Sequence, residues 1–287
     1  MAEIIPEQKE VRTGYLIEDF HLFYLKDQQK RSFSFHYHDF HKIILILSGN
    51  VRFTIEGKCY QPLPGDLLFI PAGSIHQPVI SNESPYERFI LYLSSDCHCQ
   101  IHKLTACMDT SRNSHEYLLR TSIKNIEQLK ELLSQLYSAI LSDKKNPEQF
   151  GAALLNQSIF QQIMIYLNRY AQDFFQMSGQ ISPTCDPLIV SIMNYIHSHL
   201  CDDLSLPVLS SLYHLSSSRL MHKFKLETGF TIHQYILQKR LLLVQKLVHE
   251  ESVPITKAAL LGGFHDYTSY YRALQRSNNQ NLETLPE

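Results

Sequence analysis

The stretch "HYHDFHKIILILSGN", residues 36 to 50, opens with His36 and His38 one residue apart. Side chains alternate along a strand, so this spacing puts both imidazoles on one face, as at the opening of a metal site. Where a further ligand is expected a few residues on, the chain has Lys42. An ammonium repels a divalent cation and removes an anionic ligand, so the arrangement suits a pocket that binds an anionic or hydroxylated molecule instead. A second group of metal-ligand types, "CHCQIH" at 97 to 102 with Cys107 nearby, lacks the paired C-x-x-C and H-x-x-x-H spacing of common zinc sites. It reads as a polar loop carrying free thiols.

The elements that must position these residues are short strands. From about residue 11 to 95, "KIILILSG", "VRFTIEGKCY", "DLLFIPAG" and "ERFILYLSS" are β-branched and aromatic runs bounded by Gly, Pro or Asn, as in an antiparallel sandwich or barrel. Gly49-Asn50 and Glu56-Gly57-Lys58 read as hairpin turns. Lys42 shares a strand face with Ile44 and Ile46; it points inward in that register, and a slip of one residue would leave it snorkelling outside.

Near residue 115 the period changes. "IEQLKELLSQLYSAIL" aligns Ile126, Leu129, Leu132, Leu133, Leu136, Ile140 and Leu141, and the next helix aligns Leu155, Ile159, Ile163 and Leu167. The pair forms a helical hairpin that either packs on the β domain or makes a dimer seam. "QMSGQISPTCDP", 176 to 187, is rich in turn-forming residues and reads as a linker.

Beyond it the chain is helical. A short helix, a turn at Tyr213-His214-Leu215, Ser216 as N-cap and a second helix ending at Gly229 make a helix-turn-helix candidate. The plan repeats from Pro254 through a break at Gly262-Gly263 to Asp266 as N-cap of "YTSYYRALQR". Between the units, Thr231 to Glu250 as one helix would span ~30 Å. Successive major grooves on one face of DNA lie about 34 Å apart, so this rod can present a reading helix to each.

Residues 186 to 276 resemble the DNA-binding domain of the AraC/XylS family of transcription regulators. "LSSSRLMHKFKLETGFTIHQYILQKRL" and "ITKAALLGGFHDYTSYYRAL" carry the likeness, at Ser216, Phe224-Lys225, Gly229, Tyr235, Arg240-Leu241 and Gly263-Phe264. The resemblance implies that Ser217, Ser218, Met221 and His222 face DNA from the first unit, and Tyr267, Thr268, Tyr271 and Arg272 from the second. Arg272 falls on the family's usual arginine and is the candidate for a bidentate guanine contact. His222 stands where an arginine is expected, which implies weaker or pH-dependent reading by that helix. Lys223, Lys225 and Arg276 would serve phosphates.

Two features depart from the family pattern. From Asp186 to Glu287 nine Lys and Arg balance nine Asp and Glu, which predicts modest non-specific affinity. The family's closing motif is replaced by Leu274-Gln275-Arg276, Asn279 and "NLETLPE", so a degraded final helix is expected, with Asn279 able to take the left-handed conformation.

In this family a cupin-like barrel often precedes the DNA-binding domain and senses a small molecule. The first cupin motif falls on His36, His38, Lys42 and Gly49, and the second on Gly65, Pro71, Gly73 and His76. All three histidine positions are filled and the acid is not. Three neutral imidazoles can still hold zinc.

The whole chain, 287 residues with net charge -2, 44% apolar and 19% charged, has the composition of a multidomain globular protein and announces no polyanionic partner. Six scattered cysteines and the lack of a signal-like start or a long apolar run lead us to expect reduced thiols, a cytoplasmic location and no membrane partner. The expected fold is multidomain α+β: a cupin-like sensor (11–110), a helical dimerisation and coupling region (115–172), a linker (173–187) and an all-α domain with two helix-turn-helix units (188–280). The expected function is transcription regulation without catalysis or cofactor. Its partners would be double-stranded DNA, an effector held by His36, His38, Lys42 and His76, a second copy of the chain, and RNA polymerase if it activates. The alternatives are a cupin metalloenzyme using His36, His38 and His76, or a regulator acting mainly through protein partners.

Overall fold

The computed structural model describes residues 16, 18–28, 31–33, 35–81, 84–94, 104–146, 148–177, 186–249 and 252–283. The expected N-terminal boundary at residue 11, the cysteine-histidine stretch at 97 to 102, and most of the expected linker lie outside them, as does Glu250 at the end of the expected rod.

The N-terminal half contains β1 (Phe20–Asp27), β2 (Arg31–Ser32), β3 (His41–Ser48), β4 (Val51–Ile55), β5 (Lys58–Tyr60), β6 (Leu67–Ile70), β7 (His76–Ile80), β8 (Tyr86–Leu93) and β9 (Leu118–Leu119). They form two antiparallel sheets, ordered β1-β8-β3-β6-β9 and β2-β7-β4-β5. Strand β3 shows how the layers are written into alternation. Its odd positions, Ile43 and Leu45, join one apolar cluster, and Ile44 and Ile46 join another with Ile70 of the same sheet and Phe53 and Ile55 of the facing sheet. The strand is therefore buried on both sides, and Lys42 falls on the face that looks between the sheets.

Both expected turns exist, with one correction. Glu56 and Gly57, at φ 46° and 74°, close the β4–β5 hairpin. Gly49 (φ 103°) and Asn50 instead join β3 to β4, which lie in different sheets, so that turn is a crossing between layers.

Helices α1 (Ala106–Ser114), α2 (Ile123–Lys145) and α3 (Ala152–Met177) follow; α1 was not anticipated. Leu129, Leu133 and Leu136 of α2 and Ile159, Ile163 and Leu167 of α3 are buried in one core with Ile43, Leu45, Phe69 and Leu91 of the five-stranded sheet. The hairpin thus packs on the β domain. A fully buried side chain of this kind stabilises the fold by roughly 1.5–3 kcal/mol. Leu155 departs from the expected stripe and is exposed, as are Phe150 and Leu154.

The C-terminal region contains α4 (Pro187–Ser198), α5 (Leu206–Leu212), α6 (Ser217–Thr228), α7 (Ile232–His249), α8 (Ile255–Leu261) and α9 (Tyr267–Glu283). Helix α7 is the expected rod, and its 18 residues span ~27 Å. Its first half, with Tyr235 and Ile236, closes a core with α4, α5 and α6. Its second half, with Leu241 and Val244, closes another with α8 and α9. Helix α9 runs on through position 279 to Glu283, so Asn279 is helical and, among the described residues, no separate final helix follows. Among the described residues no helix is long and apolar enough to cross a membrane.

Gly263 fixes the second unit to the first. Its φ is +84°, and a Cβ there would lie 2.4 Å from the Leu200 carbonyl oxygen and 2.9 Å from Arg240 Nε. Arg240 Nε also donates to that carbonyl at 2.8 Å. Gly263→Ala is expected to destabilise the protein by about 1–3 kcal/mol, read from the urea midpoint at unchanged m-value.

Candidate functional site

Ser216 accepts a hydrogen bond from the Arg219 amide and caps α6, and Gly229 ends that helix in the left-handed conformation at φ 77°. The turn before it, Tyr213-His214-Leu215, places His214 at φ 52°. In the second unit Asp266 Oδ1 accepts from the Ser269 amide at 2.6 Å and caps α9. These caps orient both second helices as anticipated.

The buried stripe of α6 is Leu220, Phe224 and Thr228. Ser218, Met221, His222 and Lys225 therefore face outward, while Ser217 is half-buried with its hydroxyl 3.0 Å from that of Ser210. Lys223 is half-buried and forms an ion pair with Asp186, the N-cap of α4. On α9, Tyr270 and Ala273 are buried, which leaves Tyr267, Thr268, Tyr271, Arg272 and Arg276 exposed on the outer side. The Tyr267 ring lies 6.2 Å from that of Tyr271, whose hydroxyl accepts from Gln275 Nε2. Neither outer face is packed against the barrel.

Within the β domain the four expected pocket residues converge. The potential ligand atoms of His36, His38 and His76 lie within 4.8 Å of one another, and Lys42 Nζ is 3.2 Å from His38 Nε2. His36 and His76 pair through their backbones, and their rings are 4.3 Å apart. The Ser74 carbonyl can only accept, so His76 Nδ1 donates to it at 3.0 Å and Nε2 is the unprotonated nitrogen of the neutral ring. That Nε2 is buried without a hydrogen-bond partner. Burial, then the nearby Lys42 charge and the His36 ring, hold His38 well below the ordinary histidine pKa; burial, then His36 and Lys42, do the same to His76. The set fits a divalent cation poorly, because the Lys42 ammonium takes the His38 lone pair that a metal would need. It offers instead a cationic donor, Lys42, and a bare acceptor, His76 Nε2.

No local pattern along the chain announces the junction between the two halves. Glu56, at the tip of the β4–β5 hairpin, accepts from Tyr235 Oη at 2.6 Å, Lys239 Nζ at 2.7 Å and the Ile75 amide at 2.7 Å. The Gly73 carbonyl accepts from Lys239 Nζ and Gln238 Nε2. Ile75 belongs to the core of the first helical unit, and a Cβ on Gly73 would lie 2.0 Å from Leu242 Cδ1. Glu56 and Lys239 are 183 residues apart, so no local spacing announces them.

A two-sheet domain with an inward polar cluster, joined to paired helix-turn-helix units that share one helix, is the layout of a regulator with a ligand-binding domain and a DNA-binding domain. The profile described as "AraC-like ligand binding domain" matches residues 21–164, and the one described as "Helix-turn-helix domain" matches residues 209–284. The chain belongs to the AraC-type family of transcriptional regulators, with an N-terminal ligand-binding domain and a C-terminal DNA-binding domain. It is 28% identical over 246 residues to the probable transcriptional regulator LumQ of Photobacterium leiognathi, covering 86% of this chain and 89% of that one. It is 25% identical over 235 residues to the HTH-type transcriptional activator RhaR of Cronobacter sakazakii, covering 82% and 80%. Among solved structures, ToxT from Vibrio cholerae aligns over 91% of this chain and 92% of its own at 12% identity, with a TM-score of 0.37.

The buried histidines set a pH dependence. Burial, then the Arg112 charge, lowers the His41 pKa to about 3, and its Nδ1 accepts from the Ala72 amide. His38, His41 and His76 stay neutral in the folded chain but take protons in the unfolded chain below the ordinary value of 6.5. Stability is thus fully present above that value and is lost as pH falls below it. The melting temperature is expected to be flat from pH 8 to 7 and to fall below 6.5. His41→Asn, which keeps an acceptor for Ala72, should flatten that fall by up to ~1.4 kcal/mol per pH unit.

Proposed function

We propose that the chain is a one-component regulator whose effector binds between the sheets and alters how two DNA-binding units meet a promoter. In this reading residues 11–110 sense the effector, 115–172 couple and dimerise, 173–187 link, and 188–280 bind DNA. His36, His38, Lys42 and His76 hold the effector: Lys42 donates to an anionic or hydroxyl oxygen, and His76 Nε2 accepts from a hydroxyl. The protein acts by binding rather than catalysis, in the cytoplasm, and meets RNA polymerase where it activates.

The observation that carries this reading is the outward exposure of the α6 and α9 faces on either side of the shared helix α7. Ser217, Ser218, Met221 and His222 read one groove, and Tyr267, Thr268, Tyr271 and Arg272 the next, with Lys223, Lys225 and Arg276 on phosphates. Lys223 reaches a phosphate by leaving Asp186. The effector shifts a population between poses of the helical domain.

Selection of binding sites from random DNA by the purified protein tests the assignment. Arg272→Ala should lose sequence preference in one half of the recovered site only, at a cost of about 1–3 kcal/mol for the preferred base. Loss in both halves, or in neither, would count against the second recognition helix. Absence of any footprint at moderate salt would favour action through protein partners.

The exposed run of Phe150, Leu154 and Leu155 at the start of α3 supports the dimer seam. Leu154→Asp with Leu155→Asp should convert a dimer to a monomer in sedimentation equilibrium while leaving the melting temperature within a few degrees. A wild-type monomer at micromolar concentration would remove this part of the reading.

A further inference from the structure

The outer helices of the two units can be aligned on their caps. Ser216 precedes α6 and Asp266 precedes α9, and each side chain accepts from the backbone amide three residues on. Counted from those caps, buried Leu220 corresponds to buried Tyr270, exposed Met221 to exposed Tyr271, and exposed His222 to exposed Arg272. Each helix therefore offers an apolar side chain to solvent and, directly after it, one that can donate hydrogen bonds.

Helix α9 carries this further than α6. Tyr267 and Tyr271 stand one turn apart, with ring centroids separated by 6.2 Å and planes inclined at 30°. They are 41% and 48% exposed, so most of an aromatic surface is left in water. Gln275 Nε2 donates to the Tyr271 hydroxyl at 3.1 Å, which ties that ring along the helix surface. Neither ring is needed for the core of the second unit, which α9 enters through Tyr270 and Ala273. Apolar surface exposed beside Arg272 marks a contact with something outside the domain.

The chemistry of a DNA major groove narrows what that contact is. Base edges present hydrogen-bond donors and acceptors there, and the apolar feature among them is the 5-methyl group of thymine. Cytosine shows the same group only when it is methylated at that carbon. Arg272, adjacent to Tyr271, has the donor fork that suits guanine O6 and N7. Nine basic residues balance nine acidic ones from Asp186 to Glu287, so charge supplies little of the attraction and burial of apolar area gains weight.

We propose that Tyr267 and Tyr271 read pyrimidine 5-methyl groups. The half-site met by α9 then carries thymine beside the guanine contacted by Arg272, and 5-methylcytosine substitutes for that thymine where cytosine does not. This rests on the reading above that α9 enters the groove; the methyl preference is a separate claim.

The test uses the full-length protein and the site it recovers from random DNA. Thymines in the half relaxed by Arg272→Ala are replaced one at a time by deoxyuridine, which removes the methyl group and keeps the base pairing. At one or more positions wild type should bind about fourfold more weakly, the effect of exposing roughly one buried carbon. Tyr267→Ala or Tyr271→Ala should bind the thymine site more weakly and no longer distinguish it from deoxyuridine. Phenylalanine at the same position should keep the distinction, because the ring makes the contact. Both residues are exposed, so the melting temperatures of these variants should stay within a few degrees of wild type. With cytosine at the sensitive position binding should fall, and 5-methylcytosine should recover about fourfold. A recovered half-site without thymine overturns the proposal, as does deoxyuridine tolerated at every thymine of that half. An undiminished deoxyuridine penalty in both alanine variants, loss of the penalty in the phenylalanine variant, or 5-methylcytosine no better than cytosine also overturns it. If Arg272→Ala still relaxes that half, the groove assignment stands without the methyl reading; a protein that selects no site at all overturns both.

Discussion

Helix α7 must satisfy three surfaces at once, and the rest of the structure follows from that demand. Tyr235 shows it within one side chain. Its ring packs edge-on against Phe224 in the first helical unit, and its hydroxyl crosses to Glu56 on the β domain. Three residues on, Gln238 and then Lys239 reach the Gly73 carbonyl; a turn further, Leu241 and Val244 enter the second unit. A helix fixed on all sides transmits displacement instead of absorbing it, because close-packed surfaces shift between discrete arrangements. Under the function proposed above, a change at the β domain would therefore reach α6 and α9 together.

The chemistry at that junction favours switching over plain strength. Removing both charges of a buried ion pair and filling the space with apolar atoms is often neutral, whereas removing one strands the other at several kcal/mol. Glu56 and Lys239 are in that position, each largely buried and dependent on the other. The contact defines the docked arrangement sharply while adding little net stability. The histidine cluster between the sheets obeys related logic: neutral imidazoles tolerate burial beside Lys42, and protonated ones would not.

What could be read from the chain depended on how local the signal was. The caps at Ser216, Gly229 and Asp266 and the apolar period of α7 are written within a few residues, and each was legible. The convergence of His36, His38, Lys42 and His76 was also legible, because it rests on strand alternation and on motif positions carried by a resemblance. The turn at Gly49-Asn50 was recognised, but its role as a crossing between sheets was not, since a turn signal does not say which strands it pairs. Helix α1 escaped because "ACMDTSRNS" has few apolar residues and no sustained period. Glu56, Gly73 and Lys239 escaped for a deeper reason. Their meaning lies in contacts between halves of the chain, where Lys239 reads as one more basic residue of a helix and Glu56 as one more turn residue.

The pairing of Lys239 with Glu56 bears on the neutral charge of the DNA-binding region. Three of its nine basic residues are diverted within the protein: Lys223 to Asp186, Lys239 to Glu56, and Arg240 to the carbonyls of Leu200 and Asp202. Among the described residues Arg219, Lys225, Lys257, Arg272 and Arg276 remain exposed. Each phosphate neutralised releases about one counterion, so this number of cations predicts a shallow salt dependence and weak non-specific attraction. Under the function proposed above, discrimination would then come from base-edge contacts and from simultaneous engagement of two units, since linking two weak contacts rigidly raises the effective concentration of the second. The stiffness of α7 is what makes that second contact effective. A regulator poor in free charge needs its reading helices held in fixed relation, and so the packing that ties α7 to everything around it also compensates for the balanced charge of the domain it carries.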